Sequence, residues 1–347
     1  MTSAPAPLPS TPVRFAAVSP GRWGRKLLDA AKASPLLAFA GVFSRSPQNR
    51  EEIVRDFGGV NYPSYEALLA DTAVEAVVLP TPHFLHHSQT LAALRAGKHV
   101  FVEKPVATTL AQAEEMLKVG QETGRVLAVG HQGRHTGGIK KVKAMLAAGE
   151  LGHVATVVIV QGYPHALFRP ADDWRTGENA VPGGQLDELG VHYFDVLHFL
   201  FGPVRRVTGF VQRPGASLPP ETATVAMHFD GGLIASYTTY ATSVGSSRMT
   251  IFGSKGALEL NRMGQDACTW QPVADLATTR LGGLPAQPIK FEGPYLITTA
   301  LTAELEDFAG AIREGRRPQV GAAESLATLR ISRAVMEASA TGRTVEL

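Results

Sequence analysis

Short apolar runs alternate with helical patterns along the first 130 residues of the chain. Five runs have the length and composition of buried strands: Val13–Val18, Leu37–Phe43, Val74–Pro80, His99–Glu103 and Arg125–Val129. The helical patterns between them are Gly24–Ser34, Gln48–Phe57, Tyr65–Ala70, Phe84–Ala96 and Leu110–Thr123. Because parallel strands need crossover connections, this alternation predicts an α/β domain with a doubly wound parallel sheet.

The pattern changes after about residue 130. Helices are predicted over Ile139–Ala148 and about Leu186–Phe201, and Asp230-Gly231-Gly232 has the composition of a hairpin turn. Consecutive strands are indicated by the runs VATVVIVQGY, VRRVTGFVQ, TATVAMHF, LIASYTTYA and MTIFG. Residues 264–295 contain no clear element, and two helical patterns, Ala300–Glu314 and Ala322–Ala340, close the chain. We therefore expect a C-terminal α+β domain built on a large, mostly antiparallel open sheet.

Composition excludes several classes of protein. The length of 347 residues suggests two domains, and 33 basic against 31 acidic side chains exclude a strongly basic nucleic-acid binder. The opening MTSAPAPLPSTP lacks the parts of a signal peptide, so we interpret residues 1–12 as a disordered lead-in. No run approaches the roughly 18 apolar residues of a membrane helix. The single Cys268 allows no internal disulfide, which favours a cytoplasmic location.

The turn after the first strand, Ser19-Pro20-Gly21-Arg22-Trp23-Gly24, is similar to the G-x-G-x-x-G fingerprint of Rossmann dinucleotide-binding domains. Ser19 stands in the first glycine position. Gly21 would let the backbone approach a pyrophosphate, and the helix N-terminus would offer N–H groups to it. We therefore expect Ser19, Gly21, Arg22 and Trp23 to contact a dinucleotide, with an ordinary strand–turn–helix connection as the alternative.

The end of the second strand carries Ser44, Arg45 and, further on, Arg50. An enzyme specific for NAD usually has an acidic residue here for the ribose hydroxyls. A guanidinium and a hydroxyl suit a 2′-phosphate better, which favours NADP over NAD as the cofactor. The alternative is that the two arginines are solvated charges at the start of a helix.

Two further segments resemble a known family. Thr81-Pro82-His83-x-x-His86, followed by the segment AGKHVFVEKP at 96–105, resembles the TP-N-x-x-H and AGKHV-x-x-EKP signature of the Gfo/Idh/MocA oxidoreductases. That family includes glucose–fructose oxidoreductase, inositol dehydrogenase and the dihydrodiol dehydrogenases. His83 replaces the usual Asn.

The resemblance continues to the C-terminus. Gly130-His131 with Arg134 is similar to the family's GH-x-x-R segment, and residues 183–195 are similar to its GG-x-L-x-D-x-G-x-H-x-x-D helix. Residues 339–343 fit its usual ending. The resemblance implies an NAD(P)-binding Rossmann domain over 13–130 and a substrate-binding and oligomerisation domain over 131–347, in a homodimer or homotetramer.

The resemblance also implies roles for residues at the ends of the strands. Lys104 would stabilise an alkoxide or act in proton transfer, whereas a lysine after a strand is otherwise usually a solvated loop charge. Glu103 would contact the nicotinamide ribose. The remaining cofactor contacts that it implies are Thr81, Pro82, His86 and His131.

His192 matches the family's catalytic histidine and is the expected general base. On an α-helix, Glu188, His192 and Asp195 would share one face, so Glu188 would orient the imidazole. A surface acid–histidine pair is the alternative. The family has Asp where this chain has Glu188, and the neighbouring Asp187 would point roughly 100° away, so the role of Glu188 stays open.

Candidate substrate contacts are Arg134, His165, Trp174, Arg175 and His192. The arginines would meet a carboxylate, a phosphate or sugar hydroxyls, Trp174 would stack on a ring or pack, and His165 is equally well a loop residue. The histidines at 83, 86 and 87 have no metal-ligand spacing, so no metal site is expected.

Taken together, these features predict an NAD(P)-dependent oxidoreductase that transfers a hydride to or from a hydroxyl-bearing carbon of a sugar, polyol or cyclic diol. The alternatives are an NAD-dependent redox-neutral glycosidase of the same fold and a non-catalytic ligand-sensing regulator. Neither nucleic acid nor a membrane is an expected partner.

Overall fold

A computed structural model describes residues 11–170, 173–175, 180–214, 219–264, 268–273, 286–289 and 297–347 of the protein. By their contacts, these residues form two compact units. The first holds the described residues up to Gly130 together with Leu301–Ser325, and the second holds those of His131–Ala300 together with Leu326–Leu347. The predicted lead-in lies outside the described residues, apart from Thr11 and Pro12.

The first unit is built on a six-stranded sheet in which every strand pair is parallel. Its strands are β1 (Val13–Val18), β2 (Leu37–Phe43), β3 (Val60–Asn61), β4 (Ala76–Leu79), β5 (His99–Glu103) and β6 (Leu127–Gly130). Their spatial order, β3-β2-β1-β4-β5-β6, is that of a Rossmann fold. The predicted doubly wound sheet is confirmed, and the two-residue β3 is the strand that the sequence pattern missed.

Helices connect these strands. They are α1 (Arg22–Lys32), α2 (Pro47–Phe57), α3 (Tyr65–Ala70), α4 (His83–Arg95) and α5 (Leu110–Thr123). Ser46, Ser64 and Thr109 each accept a hydrogen bond from a first-turn N–H, so local sequence fixes where α2, α3 and α5 begin.

The segment 301–325 belongs to the first unit by its contacts, although the sequence pattern grouped it with the second domain. Phe308 packs against Phe101 with ring centroids 5.8 Å apart, and Glu306 accepts a hydrogen bond from Ser34. Arg313 donates to both carboxylate oxygens of Glu75. These contacts join residues more than 200 positions apart, which sequence periodicity does not register.

The second unit is built on a nine-stranded sheet in the order β14-β13-β12-β11-β7-β10-β9-β8-β15. Its strands are β7 (Val154–Gly162), β8 (Val204–Gln212), β9 (Thr222–Phe229), β10 (Ile234–Tyr240), β11 (Ser246–Gly253), β12 (Gly256–Asn261), β13 (Cys268–Pro272), β14 (Gln287–Pro288) and β15 (Val345–Glu346). Among the described strands of this second sheet, only the pair β10–β7 is parallel, so the prediction of a large, mostly antiparallel sheet is confirmed. The predicted turn Asp230-Gly231-Gly232 joins β9 to β10.

The expectation of no clear element over 264–295 is wrong in its described parts. Strand β13 pairs with β12 through Leu258 and Trp270, and β14 pairs with β13 through Gln287. The run CTWQP has a weak strand pattern of its own and is held in place by pairing with β12. Apart from residues 264, 268–273 and 286–289, this stretch lies outside the described residues.

The remaining helices are α6 (Gly137–Ala147), α7 (His165–Phe168), α8 (Val191–Phe201), α9 (Ile297–Glu314) and α10 (Ala322–Thr341). A 3₁₀ turn covers Gln132–His135. The predicted helix over 186–201 is only partly α-helical, because Leu186–Gly190 forms a π-helical turn that leads directly into α8.

Candidate active site

The fingerprint turn of the first unit has the backbone that a dinucleotide needs. Ser19 adopts a left-handed φ of 49°, so it takes the conformation that glycine usually provides. A Cβ at Gly21 would meet no atom of the described residues within 4 Å, and none of their side chains caps α1 where it begins there. A Cβ at Gly24 would lie 2.7 Å from Pro20 and 2.8 Å from Pro80. Open space and uncapped N–H groups therefore fit a pyrophosphate at α1.

Two arginines at the end of β2 have different surroundings. Arg45 is exposed. Arg50 donates through Nη1 to the Ser44 carbonyl oxygen and through Nε to Asn61 Oδ1 at 2.8 Å. Ser44 itself is buried. Arg50 therefore braces the turn, and Arg45 carries the exposed cation.

His86 ties together the two turns that carry the family signature. Its Nδ1 lies 2.8 Å from the Pro105 carbonyl oxygen and its Nε2 lies 2.9 Å from that of Thr81. The ring is fully buried, and this desolvation lowers the pKa of His86 to about 4. Both nitrogens thus face main-chain oxygens, which leaves neither for the cofactor contact that the sequence predicted. Pro82 precedes the first residue of α4.

Glu103 and Lys104 lie where β5 ends. Trp23 Nε1 donates to Glu103 Oε1 at 2.6 Å, and the Lys104 amide donates to Glu103 Oε2 at 3.2 Å. Burial raises the pKa of Glu103, and the bond from Trp23 and the charge of Lys104 partly oppose that change. The Lys104–Pro105 peptide is cis. The fingerprint turn and the end of β5, both predicted to contact the cofactor, are thus joined by one hydrogen bond.

In the second unit, the two histidines singled out from the sequence lie together. The rings of His131 and His192 are perpendicular, at 81°, with centroids 6.1 Å apart. His192 is 8% exposed and His131 is 1% exposed. His192 therefore lies mostly buried at the start of α8, with its ring beside that of His131.

Arg134 is committed to an ion pair. Its guanidinium meets Asp195 in a two-bond contact, Nε to Oδ2 at 2.8 Å and Nη2 to Oδ1 at 2.7 Å. The side chains are 9% and 0% exposed, and the guanidinium also lies 5.1 Å from the Phe199 ring. This pair fastens the 3₁₀ turn to α8, close to His192, so Arg134 supports the site where the sequence predicted a substrate contact.

Glu188 lies in the π turn and His192 lies in α8, whereas the sequence argument assumed one continuous α-helix for both. That the two side chains share one face stays a prediction. Glu188 Oε2 accepts from Arg169 at 2.7 Å and lies 3.6 Å from His165 Nε2. Asp187 points away, as expected, and is buried against Ser332 and Arg333.

A cavity of about 160 Å³ lies beside the π turn. Its lining includes the predicted contacts Arg175 and Glu188, and also Arg169 and Gln185. Sequence reasoning missed the last two. Arg169 lies in no recognised motif, and Gln185 stands at a variable position of the family pattern, so neither was identified from the sequence. His165 lies 2.7 Å from Gln185 Nε2, and Trp174 lies under the Arg175 guanidinium at 4.2 Å.

No group of three metal-ligating side chains occurs among the described residues. The described helices include none that is long and apolar enough to cross a membrane.

Two family models match the chain. One, described as "Oxidoreductase family, NAD-binding Rossmann fold", covers residues 13–131, and the other, "GFO/IDH/MocA C-terminal domain", covers residues 139–259. The chain is 30% identical to a 1,5-anhydro-D-fructose reductase of Ensifer adhaerens over 83% of its length and 84% of the relative's. It is 29% identical to a scyllo-inositol 2-dehydrogenase (NADP(+)) of Bacillus subtilis over 86% of both.

The structure resembles that of an aldose–aldose oxidoreductase from Caulobacter crescentus complexed with glycerol. The TM-score is 0.84 at 25% identity, over 97% of this chain and 100% of the other.

Proposed function

The chain belongs to the Gfo/Idh/MocA family of NAD(P)-dependent oxidoreductases, and from that premise we propose that it moves a hydride to or from a hydroxyl-bearing carbon of a sugar, polyol or cyclic diol. One observation carries the proposal. In the first unit, the Trp23–Glu103 hydrogen bond of 2.6 Å links the fingerprint turn to the end of β5, where Lys104 stands. Ligands of open parallel sheets bind at this edge, the carboxyl ends of the strands.

The proposed proton chemistry uses two residues. When bound, the nicotinamide cofactor supplies the hydride acceptor or donor. Lys104 stabilises the negative charge that develops on the substrate oxygen as its proton leaves, because its ammonium group is a compact cation. His192 takes up that proton, or returns it in the reverse direction.

The proposed cofactor contacts are divided between direct and indirect roles. Ser19, Gly21 and Arg22 cradle the pyrophosphate with α1, Glu103 accepts from the ribose, and Thr81, Pro82 and His131 complete the pocket. Trp23 and His86 act indirectly, by holding residues that contact the cofactor in place. Trp23 fixes the Glu103 carboxylate, and His86 fixes the Thr81 and Pro105 turns.

We propose NADP as the preferred cofactor, with Arg45 as the cation for the 2′-phosphate. The support is that Arg45 is exposed, that Arg50 braces the same turn, and that β2 ends without an acidic residue. Arg45→Ala is expected to lower kcat/KM for NADP about tenfold and leave that for NAD nearly unchanged. Arg55→Ala, on α2 with 71% side-chain exposure, is the matched control. An unchanged NADP/NAD ratio in the first variant would contradict the assignment.

The test of the activity is a cofactor-reduction screen over sugars, inositols and dihydrodiols, with NAD and NADP in parallel. A dehydrogenase changes the absorbance of reduced nicotinamide with every turnover. A redox-neutral glycosidase releases product with no net change, and a ligand-sensing regulator does neither. Lys104→Met and His192→Asn are each expected to lower kcat at least 100-fold, whereas Lys118→Met, on the exposed face of α5, is the control.

We also propose a homodimer or homotetramer formed through the open face of the second unit's sheet. The support is a set of exposed apolar side chains that the strand register places on one face: Val158, Phe210, Ile234 and Phe252. Phe210 is 76% exposed, which is unusual for so large an apolar side chain. Phe210→Glu is expected to reduce the mass measured by light scattering, and an unchanged mass would place the interface elsewhere.

A further inference from the structure

We propose that the second unit selects an uncharged substrate, such as a free polyol or sugar, over a phosphorylated or carboxylated one. The inference rests on the proposed function, because it concerns the substrate of the same reaction. The cavity beside the π turn would bind the part of the substrate that is remote from the reacting carbon. The charges that line this cavity are the basis for preferring one class of substrate.

The cavity is lined by residues that closely precede the proposed base in one helical segment. Glu188, which lines it, stands four residues before His192, and the π turn leads directly into α8. Gln185 lines the same cavity one residue before the π turn begins. A substrate hydroxyl near His192 would therefore leave its neighbouring substituents close to these side chains.

The cations of the cavity already have anionic partners. Arg169 pairs with Glu188 at 2.7 Å, and the two side chains are 16% and 13% exposed. Arg175 pairs with Asp173 at 3.2 Å. These two arginines are the only Lys or Arg among the described lining residues, and Glu221 adds a further acid.

An anionic substrate would meet a balanced or negative surface there. Binding a phosphate or carboxylate would either break the Arg169–Glu188 pair or bury a third charge beside it. A charge removed from water without a partner is costly, and a displaced Glu188 would be such a charge. Arg134, the other arginine predicted to meet an anion, is held by Asp195.

The polar groups of the cavity need hydrogen-bond donors. Gln185 is 3% exposed and bonds to His165 through Nε2, while its Oε1 has no hydrogen-bond partner among the described residues. The Glu188 carboxylate is likewise an acceptor. A hydroxyl can donate to either oxygen, whereas an ionised phosphate or carboxylate is acceptor-only. The hydrogen-bonding groups of the cavity therefore favour an uncharged substrate, as its charges do.

The test compares matched pairs of compounds by calorimetry on the protein loaded with oxidised cofactor, and in parallel by turnover. The pairs are myo-inositol with its 1-phosphate, and glucose with glucose 6-phosphate and glucuronate. We expect the neutral member to bind at least tenfold more tightly, which is about 1.4 kcal/mol. Equal or tighter binding of the anionic member, or no binding of any neutral member, overturns the proposal.

Two variants test the cause. Glu188→Gln frees Arg169, and Asp173→Asn frees Arg175. Each is expected to shift the ratio of anionic to neutral affinity at least tenfold towards the anion. Glu337→Gln, on the exposed side of α10, is the control and should leave the ratio unchanged. Loss of affinity for both members with no change in their ratio would refute the charge argument.

The two measurements separate this inference from the proposed function. If neutral compounds bind selectively but none alters the nicotinamide absorbance, the oxidoreductase proposal fails and the selectivity stands. If turnover occurs with anionic compounds in preference, the activity stands and the selectivity fails.

Discussion

We predict that His86 makes the stability of the first unit depend on pH. The imidazole is fully buried, and desolvation lowers its pKa from 6.5 to about 4, although its contacts with the Pro105 and Thr81 carbonyl oxygens oppose part of that change. In its neutral form the ring donates to one of these two oxygens. In the unfolded chain the same group has its ordinary pKa. Its folded pKa is therefore depressed, so the unfolded state binds the proton first as the pH falls. The folded state is favoured fully above the unfolded pKa and loses this advantage as the pH drops towards about 4.

The magnitude follows from the two pKa values. Between about pH 7.5 and about pH 5, the unfolded histidine becomes almost fully protonated while the folded one stays neutral. From the unfolded pKa of 6.5 down to about pH 5, the unfolded state binds about one more proton than the folded state. These roughly 1.5 pH units lower the free energy of unfolding by about 2 kcal/mol, at about 1.36 kcal/mol per unit. Replacing His86 by Asn removes this pH-dependent contribution to the free energy of unfolding. It retains a side chain that can donate to a carbonyl oxygen.

The assay is urea unfolding of the wild-type protein and His86→Asn at both pH values. The variant is expected to be less stable at about pH 7.5, and the difference between the two proteins should shrink by about 2 kcal/mol at about pH 5. His99, whose pKa is also lowered to about 4, is present in both proteins and cancels. A stability difference that does not change with pH would refute the account of a buried, neutral His86.

Three further substitutions test individual contacts. Trp23→Phe removes a donor to buried Glu103. It should weaken cofactor binding measured by nicotinamide fluorescence and move its pH dependence to higher pH, since the pKa of Glu103 rises further; an unmoved profile would contradict the link. Gly24→Ala places a methyl group 2.7 and 2.8 Å from two proline side chains, so thermal unfolding should report a loss of about 1–3 kcal/mol. Asp195→Ala leaves the Arg134 guanidinium buried without its carboxylate and should cost about 3–5 kcal/mol in urea unfolding; a loss below about 1 kcal/mol would contradict a buried pair.

The sequence predicted the two sheets because their patterns are local. Strand–helix alternation identifies β1, β2, β4, β5 and β6, and long apolar runs identify β7 to β11. The short β3 and the weakly patterned β13 were missed because each is held by pairing with a neighbour. The placement of 301–325 with the first unit depends on contacts such as Phe101–Phe308, which no local pattern encodes.

The sequence predicted which residues form the candidate site better than it predicted which partners those residues contact. The motifs led to Lys104 and His192, and helical spacing led to Glu188. The spacing argument assumed an α-helix throughout and did not foresee the π turn, in which Glu188 accepts a hydrogen bond from Arg169. Arg134 is held by the Asp195 carboxylate and is not available to a ligand. Such a pairing depends on a partner that is distant in sequence, so the motif alone does not reveal it.

The central claim is a hydride transfer to or from the nicotinamide, and isotope transfer tests it most directly. A substrate found in the cofactor screen is labelled with deuterium at the carbon that bears the hydroxyl group and is converted by the wild-type protein. We predict that deuterium appears at C4 of the reduced nicotinamide, one atom per product molecule, and that Lys104→Met and His192→Asn slow this transfer. Product formation without deuterium in the nicotinamide would contradict the account.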